Sequence, residues 1–208
     1  MTLIEKNEVV LFQGDSITEN WRRHNDGFDL GIGYANAIAT QFGYKYPDKN
    51  VTFLNRGIGG DRVTDLTRRW KEDCLDLKPT LVSIFIGIND TWRRYDANNP
   101  MSTEQFYTLY RDLLVVTKEK LNANIVLIEP FLLPVREEQK AWREDLDPKI
   151  QAVRELASEF KLLYVPLDGL FAAAASTTGP EYWAPDGVHP SAAGNGLIAD
   201  AWLKAIKA

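Results

Sequence analysis

The sequence has 208 residues, 45% of them hydrophobic and 25% charged, with a formal net charge of −5. That balance is ordinary for a soluble globular protein, and the acidic sign argues against nucleic acid as a partner, because phosphate binding needs clustered Lys and Arg. No apolar run approaches a membrane span, and Cys74 is the only cysteine, which rules out an intrachain disulfide or a cysteine metal cage.

The length suits one domain over residues 1–208, large enough to bury roughly 70% of its unfolded surface. The first eight residues carry Glu5 and Glu8 where a signal peptide would be basic and then apolar, so a cytoplasmic location is the default expectation.

Val9 to Phe12 reads as a short buried strand that stops at Gly14, and Gly14-Asp15-Ser16 follows. Residues 19–31 are polar and read as a loop, and 32–42 have helical spacing, with Tyr34, Ala37, Ile38 and Phe42 on one face. Val51 to Leu54 is the second strand, ending in the glycine-rich segment Asn55 to Asp61. A helix over about 63–77, which includes Cys74 as a small buried apolar side chain, stops near Pro79. Leu81 to Ile86 is a third strand, nearly all apolar, as a strand covered on both faces should be. It ends in Gly87-Ile-Asn-Asp90, and residues 96–101 form a loop.

Ser102 and Gln105 resemble a capping box at the start of a helix that runs to about Leu121. Ile125 to Ile128 is the fourth strand, followed by a loop over 129–140. Ile150, Val153, Leu156, Ala157 and Phe160 mark the next helix, and Leu162 to Val165 is the fifth strand. A short Ala-rich helix, about 169–175, leads into a loop through Trp183 and His189. Pro190-Ser191 opens the last helix, with Leu197, Ile198, Ala201, Trp202 and Ile206 facing inward. Strands alternating with helices predict βαβ units, a parallel sheet and a three-layer α/β/α sandwich.

In such sheets ligands bind at the carboxyl ends of the strands. Three strands end there in groups suited to acyl transfer: Ser16 after the first, the Gly59-Gly60 backbone after the second, Asn89 after the third. Attack on an ester carbonyl creates an oxyanion that needs fixed donors, and the amides of Ser16 and Gly60 with the Asn89 side chain form such a set. A serine also needs a base. Of the two histidines, His24 lies in the polar stretch 22–26, where a solvated surface role is favoured. His189 lies in Asp186-Gly-Val-His189, a spacing that lets the carboxylate orient Nδ1 and leaves Nε2 for Ser16. Taken singly, Gly-Asp-Ser serves equally as a turn with a helix N-cap, and Asp-x-x-His as an Asx turn before a helix.

Gly14-Asp-Ser-Ile-Thr18, Gly57-Ile-Gly-Gly-Asp61, Gly87-Ile-Asn-Asp90 and Asp186-Gly-Val-His189 together resemble the four blocks of the SGNH (GDSL) hydrolase superfamily. The resemblance implies a five-stranded parallel sheet of flavodoxin-like order. It implies Ser16 as nucleophile, Asp186 and His189 as its triad partners, and Ser16, Gly60 and Asn89 as oxyanion donors. Residues 84–96 are similar to the acetyl-xylan esterase branch, which implies an oligosaccharide or small-molecule ester as substrate and permits a homo-oligomer. Asp15, Trp92, Tyr95 and Trp183 are the candidate substrate-binding residues, the aromatic rings offering flat faces to a sugar. Packing beneath their own loops is the competing role for Trp92 and Trp183.

A general short-chain carboxylesterase, thioesterase or lysophospholipase would use the same groups. A nucleotide- or flavin-binding protein is the non-enzyme alternative, suggested by Gly57-Ile-Gly-Gly-Asp-Arg62. The dinucleotide fingerprint, however, needs Gly or Ala where Arg62 stands, and no Walker lysine motif is present. A silent sugar-binding module is disfavoured, since it has no use for a base-activated serine. Neither cofactor nor metal is implied, because His24 and His189 lack ligand-like spacing.

Overall fold

In the computed structural model, which describes residues 2–208, β1 (Val9–Gly14) is the strand around which the sheet forms. Its apolar residues alternate between two cores, Val10 and Phe12 on one face and Leu11 on the other, as the two-residue period of a strand requires. It pairs in parallel with β2 (Thr52–Asn55) on one side and β3 (Leu81–Phe85) on the other. Beyond β3 lie β4 (Asn124–Ile128) and β5 (Leu163–Val165), giving the order β2-β1-β3-β4-β5. This is the flavodoxin-like order that the four motifs implied. Its switch point lies between β1 and β3, where an open α/β sheet leaves a crevice at the strands' carboxyl ends.

The helices are α1 (Ser16–Glu19), α2 (Tyr34–Lys45), α3 (Val63–Asp73), α4 (Ile88–Asp96) and α5 (Thr103–Lys120). They continue with α6 (Glu137–Lys140), α7 (Arg143–Phe160), α8 (Leu167–Thr178), α9 (Pro180–Trp183) and α10 (Ala192–Ala205). On one face of the sheet, α2 and α10 pack together over Phe12, Leu81, Val126 and Val165. On the other, α3, α5 and the Ala152–Ala157 stretch of α7 cover Leu11, Val82, Ile84 and Leu127. The capping box of α5 forms as expected, with the Gln105 amide donating to Ser102 Oγ and the Ser102 amide to Gln105 Oε1.

Several boundaries differ from the sequence expectation. The helix expected to reach Leu77 ends at Asp73, because Cys74 leaves helical geometry at φ −133° and ψ −66°; a single 3₁₀ turn spans Leu75–Leu77. Cys74 is buried, and that burial pushes its thiol up to about 12. The loop over 129–140 contains the short α6, and the one through Trp183 contains α9. Pro148 sits inside α7 and hides its first turns from a pattern reading.

The chain's two ends meet at the amino edge of the sheet, where the Leu3 amide donates to Ile206 O at 2.9 Å. Trp202 of α10 is fully buried, donates from Nε1 to Ser83 Oγ at 3.0 Å and packs against Phe12 with ring centroids 5.6 Å apart. Trp202→Ala is expected to lower stability by about 3–5 kcal/mol, read as a lower urea midpoint at unchanged slope; an unmoved midpoint would contradict this anchoring role.

Candidate active site

The turn after β1 leaves no room for a side chain at Gly14. A Cβ there would lie 2.2 Å from Thr18 Oγ1 and 2.3 Å from Phe85 O. Asp15 then caps α1, its Oδ1 accepting from the Ile17 amide at 3.0 Å. Ser16 therefore begins a helical turn at the carboxyl end of the central strand, half-buried, with its hydroxyl directed at the loop that precedes α10.

That loop presents His189. Its Nε2 lies 2.8 Å from Ser16 Oγ, and its Nδ1 lies 2.6 Å from Asp186 Oδ2. The other carboxylate oxygen of Asp186 accepts from the amides of Val188 at 2.9 Å and His189 at 2.7 Å. Partial burial works against the Asp186 carboxylate, but the imidazole and these two amides outweigh it and hold its pKa well below the usual carboxylate range. In turn, the hydrogen bond that His189 Nδ1 donates to Asp186 raises the His189 pKa above its ordinary 6.5, against an opposing desolvation. The loop is seated from below by Gln139, which is buried. Its Nε2 donates to Asp186 O at 2.7 Å, while its Oε1 accepts from the amides of Val135 and Arg136.

Gly60 and Asn89 stand after β2 and β3. Gly60 has φ +85° with open space around its Cβ position, so conformation rather than crowding favours glycine. Asn89, in the first turn of α4, is buried and donates one Nδ2 hydrogen to Asp61 O at 3.1 Å, leaving the second for a ligand. Such a set can activate a hydroxyl, attack an acyl carbonyl and receive the resulting negative charge.

Residues 12–197 match the GDSL-like lipase/acylhydrolase family. The chain belongs to that family. It is 36% identical to an acetylxylan esterase of Geobacillus stearothermophilus over 98% of this chain and 95% of the relative. A solved GDSL-like lipase of Parabacteroides merdae superposes with a TM-score of 0.94 at 38% identity, covering 98% of this chain and 97% of that one. The Geobacillus esterase Axe2 superposes with a TM-score of 0.91 at 35% identity, covering 98% and 95%. Catalytic mutants of Axe2 at a serine, an aspartate and a histidine are among its solved structures. The chemistry of this chain is accordingly that of an acyl-ester hydrolase.

The remaining candidates of this family member take different positions. Asp15 is 1% exposed and turned inward, where burial pushes its carboxyl up to about 7 against the pull of the Ile17 amide and His189. It does not line the cleft, because capping α1 occupies its side chain. Trp92 lies against both Trp142 and the His189 ring, at centroid distances of 5.4 and 6.1 Å. Tyr95 stacks on Trp142 and donates its hydroxyl to Ala141 O at 2.8 Å. Trp183 packs against Tyr182 and donates to Thr178 Oγ1 at 2.7 Å.

The sequence reading missed the wall beside the serine. A cavity of about 670 Å³ is lined by Ser16, Glu19, Asn20, Trp21, Arg22, His24, His189 and Pro190. His24 is exposed, as expected, yet it lines this cavity and bonds through Nε2 to Glu19. A cavity of about 840 Å³ between α3 and α5, lined in part by Arg62 and Met101, shares no lining residue with the one beside Ser16. Among the described residues, no group of three or more His, Cys, Asp or Glu could hold a metal ion, and no helix is long and apolar enough to cross a membrane.

Arg69 of α3 holds the strand ends together. It donates to Gly14 O, to Arg56 O, to Gln13 Oε1 and to the carboxylates of Asp61 and Asp73, at 2.7 to 3.2 Å. It thereby fixes the residue before the Asp15-Ser16 turn and the one after Gly60 without facing the cleft. Arg69→Met is expected to lower the ester hydrolysis rate roughly ten- to a hundredfold, since displacements of about 1 Å cost that much. A wild-type rate in a folded variant, checked by circular dichroism, would show that the strand ends hold without it.

Proposed function

We propose that the protein is a serine esterase that removes short acyl groups, acetyl above all, from acetylated xylo-oligosaccharides or related carbohydrates. Ser16 Oγ attacks the ester carbonyl while His189 Nε2 takes its proton. Asp186 holds the imidazole in the required tautomer and stabilises its cation. The negative oxygen of the tetrahedral intermediate is received by the Ser16 and Gly60 amides and by Asn89 Nδ2. His189 returns the proton to the departing alcohol, leaving an acyl-serine. Water, deprotonated by the same imidazole, then releases the carboxylic acid and restores Ser16.

The observation that carries this reading is the run of hydrogen bonds from Ser16 through His189 to Asp186, 2.8 and 2.6 Å long, at the carboxyl edge of the sheet. The sugar substrate is supported by the identity to an acetylxylan esterase along nearly the whole chain. A homo-oligomer is compatible with this reading and plays no part in it.

Ser16→Ala and His189→Ala are each expected to reduce acetyl-ester turnover by about a thousandfold or more, because members of such a set act as a unit. Asn89→Ala is expected to cost roughly a hundred- to a thousandfold. Normal turnover in folded Ser16→Ala would end the assignment. The substrate class is tested by a panel of acetylated xylosides and acetyl through decanoyl nitrophenyl esters, with acetyl substrates expected to lead. A maximum at decanoyl would instead favour a lysophospholipase-like role.

Because only neutral imidazole accepts the proton, activity should rise with pH as His189 deprotonates. Its pKa is raised, so the midpoint of that rise is expected above 6.5. Asp186→Asn removes the main cause of the upward shift and should move the midpoint of the residual activity down. A midpoint that stays in place would contradict the pairing.

A further inference from the structure

The cavity beside Ser16 has one wall built from the five residues Glu19, Asn20, Trp21, Arg22 and His24, and the reaction described above uses none of them. Trp21 is 85% exposed, an unusual state for so large an apolar ring. Its backbone lies at φ +65°, directly after Asn20 at φ +37°. A bulky residue in the left-handed region is strained, and the surrounding chain must hold it there. Here the Asn20 amide donates to Ser16 O and the Arg22 amide to Glu19 O, while the Ile32 amide donates to Asn20 O. The Arg22 guanidinium locks the turn to Gly57 O at 3.0 Å. The ring is thus presented on a fixed support next to the nucleophile.

On the same wall, the Glu19 carboxylate has two neighbours. One oxygen bonds to His24 Nε2, and the other lies 2.8 Å from where a Gly59 Cβ would stand, close to the Gly59-Gly60 turn. Asn20 adds an amide to the same wall. The wall therefore combines a flat aromatic face with a carboxylate, an imidazole and an amide. A polyol with one apolar face and several hydroxyls matches that set, because hydroxyls donate to the carboxylate and accept from the amide. An anionic head group would instead meet the Glu19 charge. His189 and Pro190 line the same cavity, and His189 is the group that hands a proton to the departing alcohol oxygen. The alcohol half of the ester belongs on this side.

We propose that Trp21, Glu19 and His24 form the subsite for the alcohol half of the ester, with the Trp21 ring stacking on a sugar ring and the Glu19–His24 pair hydrogen-bonding its free hydroxyls. The inference rests on the esterase reading above and deepens it. Trp21, Glu19 and His24 are specificity residues. They contact the leaving group and take no part in proton transfer.

The test compares Trp21→Ala, Glu19→Gln and His24→Ala with the wild type on an acetylated xyloside and on nitrophenyl acetate, which has no sugar. The kcat/KM ratio of the first substrate to the second is expected to fall about tenfold in Glu19→Gln, the loss of a hydrogen bond to a charged group. It should fall at least about threefold in Trp21→Ala, mostly through KM, and fall likewise in His24→Ala. A general disturbance of the nucleophile turn would lower both substrates together and leave the ratio constant, which would overturn the subsite. Because Trp21 is so exposed, its truncation serves as the variant least able to disturb folding. If the wild type cleaves nitrophenyl acetate but no acetylated sugar, the carbohydrate reading fails and the subsite with it. If it cleaves acetylated sugars and the three variants keep the wild-type ratio, the subsite alone fails.

Discussion

Ser16 and His189 are 173 positions apart in the chain and 2.8 Å apart in space, and most of the architecture serves that single contact. A hydrogen bond of this kind tolerates only a few tenths of an ångström. Ser16 is therefore set in the turn directly after a central strand, which is braced by β2 and β3 on its two sides, rather than on a free loop. His189 comes from a loop, so its position has to be supplied by other means. Gln139 holds that loop through the Asp186 carbonyl, and the Asp186 carboxylate folds back on the amides of its own turn. Arg69 performs the equivalent task for the opposite wall. Precision at the crevice thus comes from polar side chains, Gln139, Asp186 and Arg69, whose hydrogen bonds run to the backbone around it.

Asp15, Asp90 and Asp186 show how environment decides the behaviour of one residue type. Desolvation pushes Asp15 and Asp90 up to about 7, although each accepts backbone hydrogen bonds at a helix start. Asp186 is only half-buried and meets an imidazole as well as two amides, so it stays ionised far into acid. Of the three, only the carboxylate beside His189 is held below the usual carboxylate range. The other two cap α1 and the entrance to α3, where a permanent full charge is not required.

Strand number and strand direction were legible because each rests on a local pattern, and the approach of His189 to Ser16 because the chain has only two histidines and one of them lies in an Asp-x-x-His spacing. Short apolar runs ended in Gly-rich turns, and parallel strands bring their ends to one edge whatever the helices between them do. Less visible were features set by tertiary packing. Cys74 ends α3 early for reasons that no periodicity displays, and Pro148 argues locally against a helix that α7 nevertheless makes. Asp15 looked like a cleft residue because it adjoins Ser16, but its side chain is buried and taken up in capping α1. His24 looked like an ordinary solvated histidine. The fold brings it against Glu19, which lies one helical turn from Ser16 and offered a faint signal through that i, i+3 relation.

The meeting of Leu3 with Ile206 carries a separate consequence. The last helix starts at the crevice and runs about 21 Å back along the sheet, so Leu3 and Ile206 lie on the side of the molecule remote from Ser16 and His189. A short linker between those points would close the backbone into a ring. New termini could then be opened in the exposed bend near Asn98, and partners fused near Leu3 or Ile206 would stand clear of the crevice.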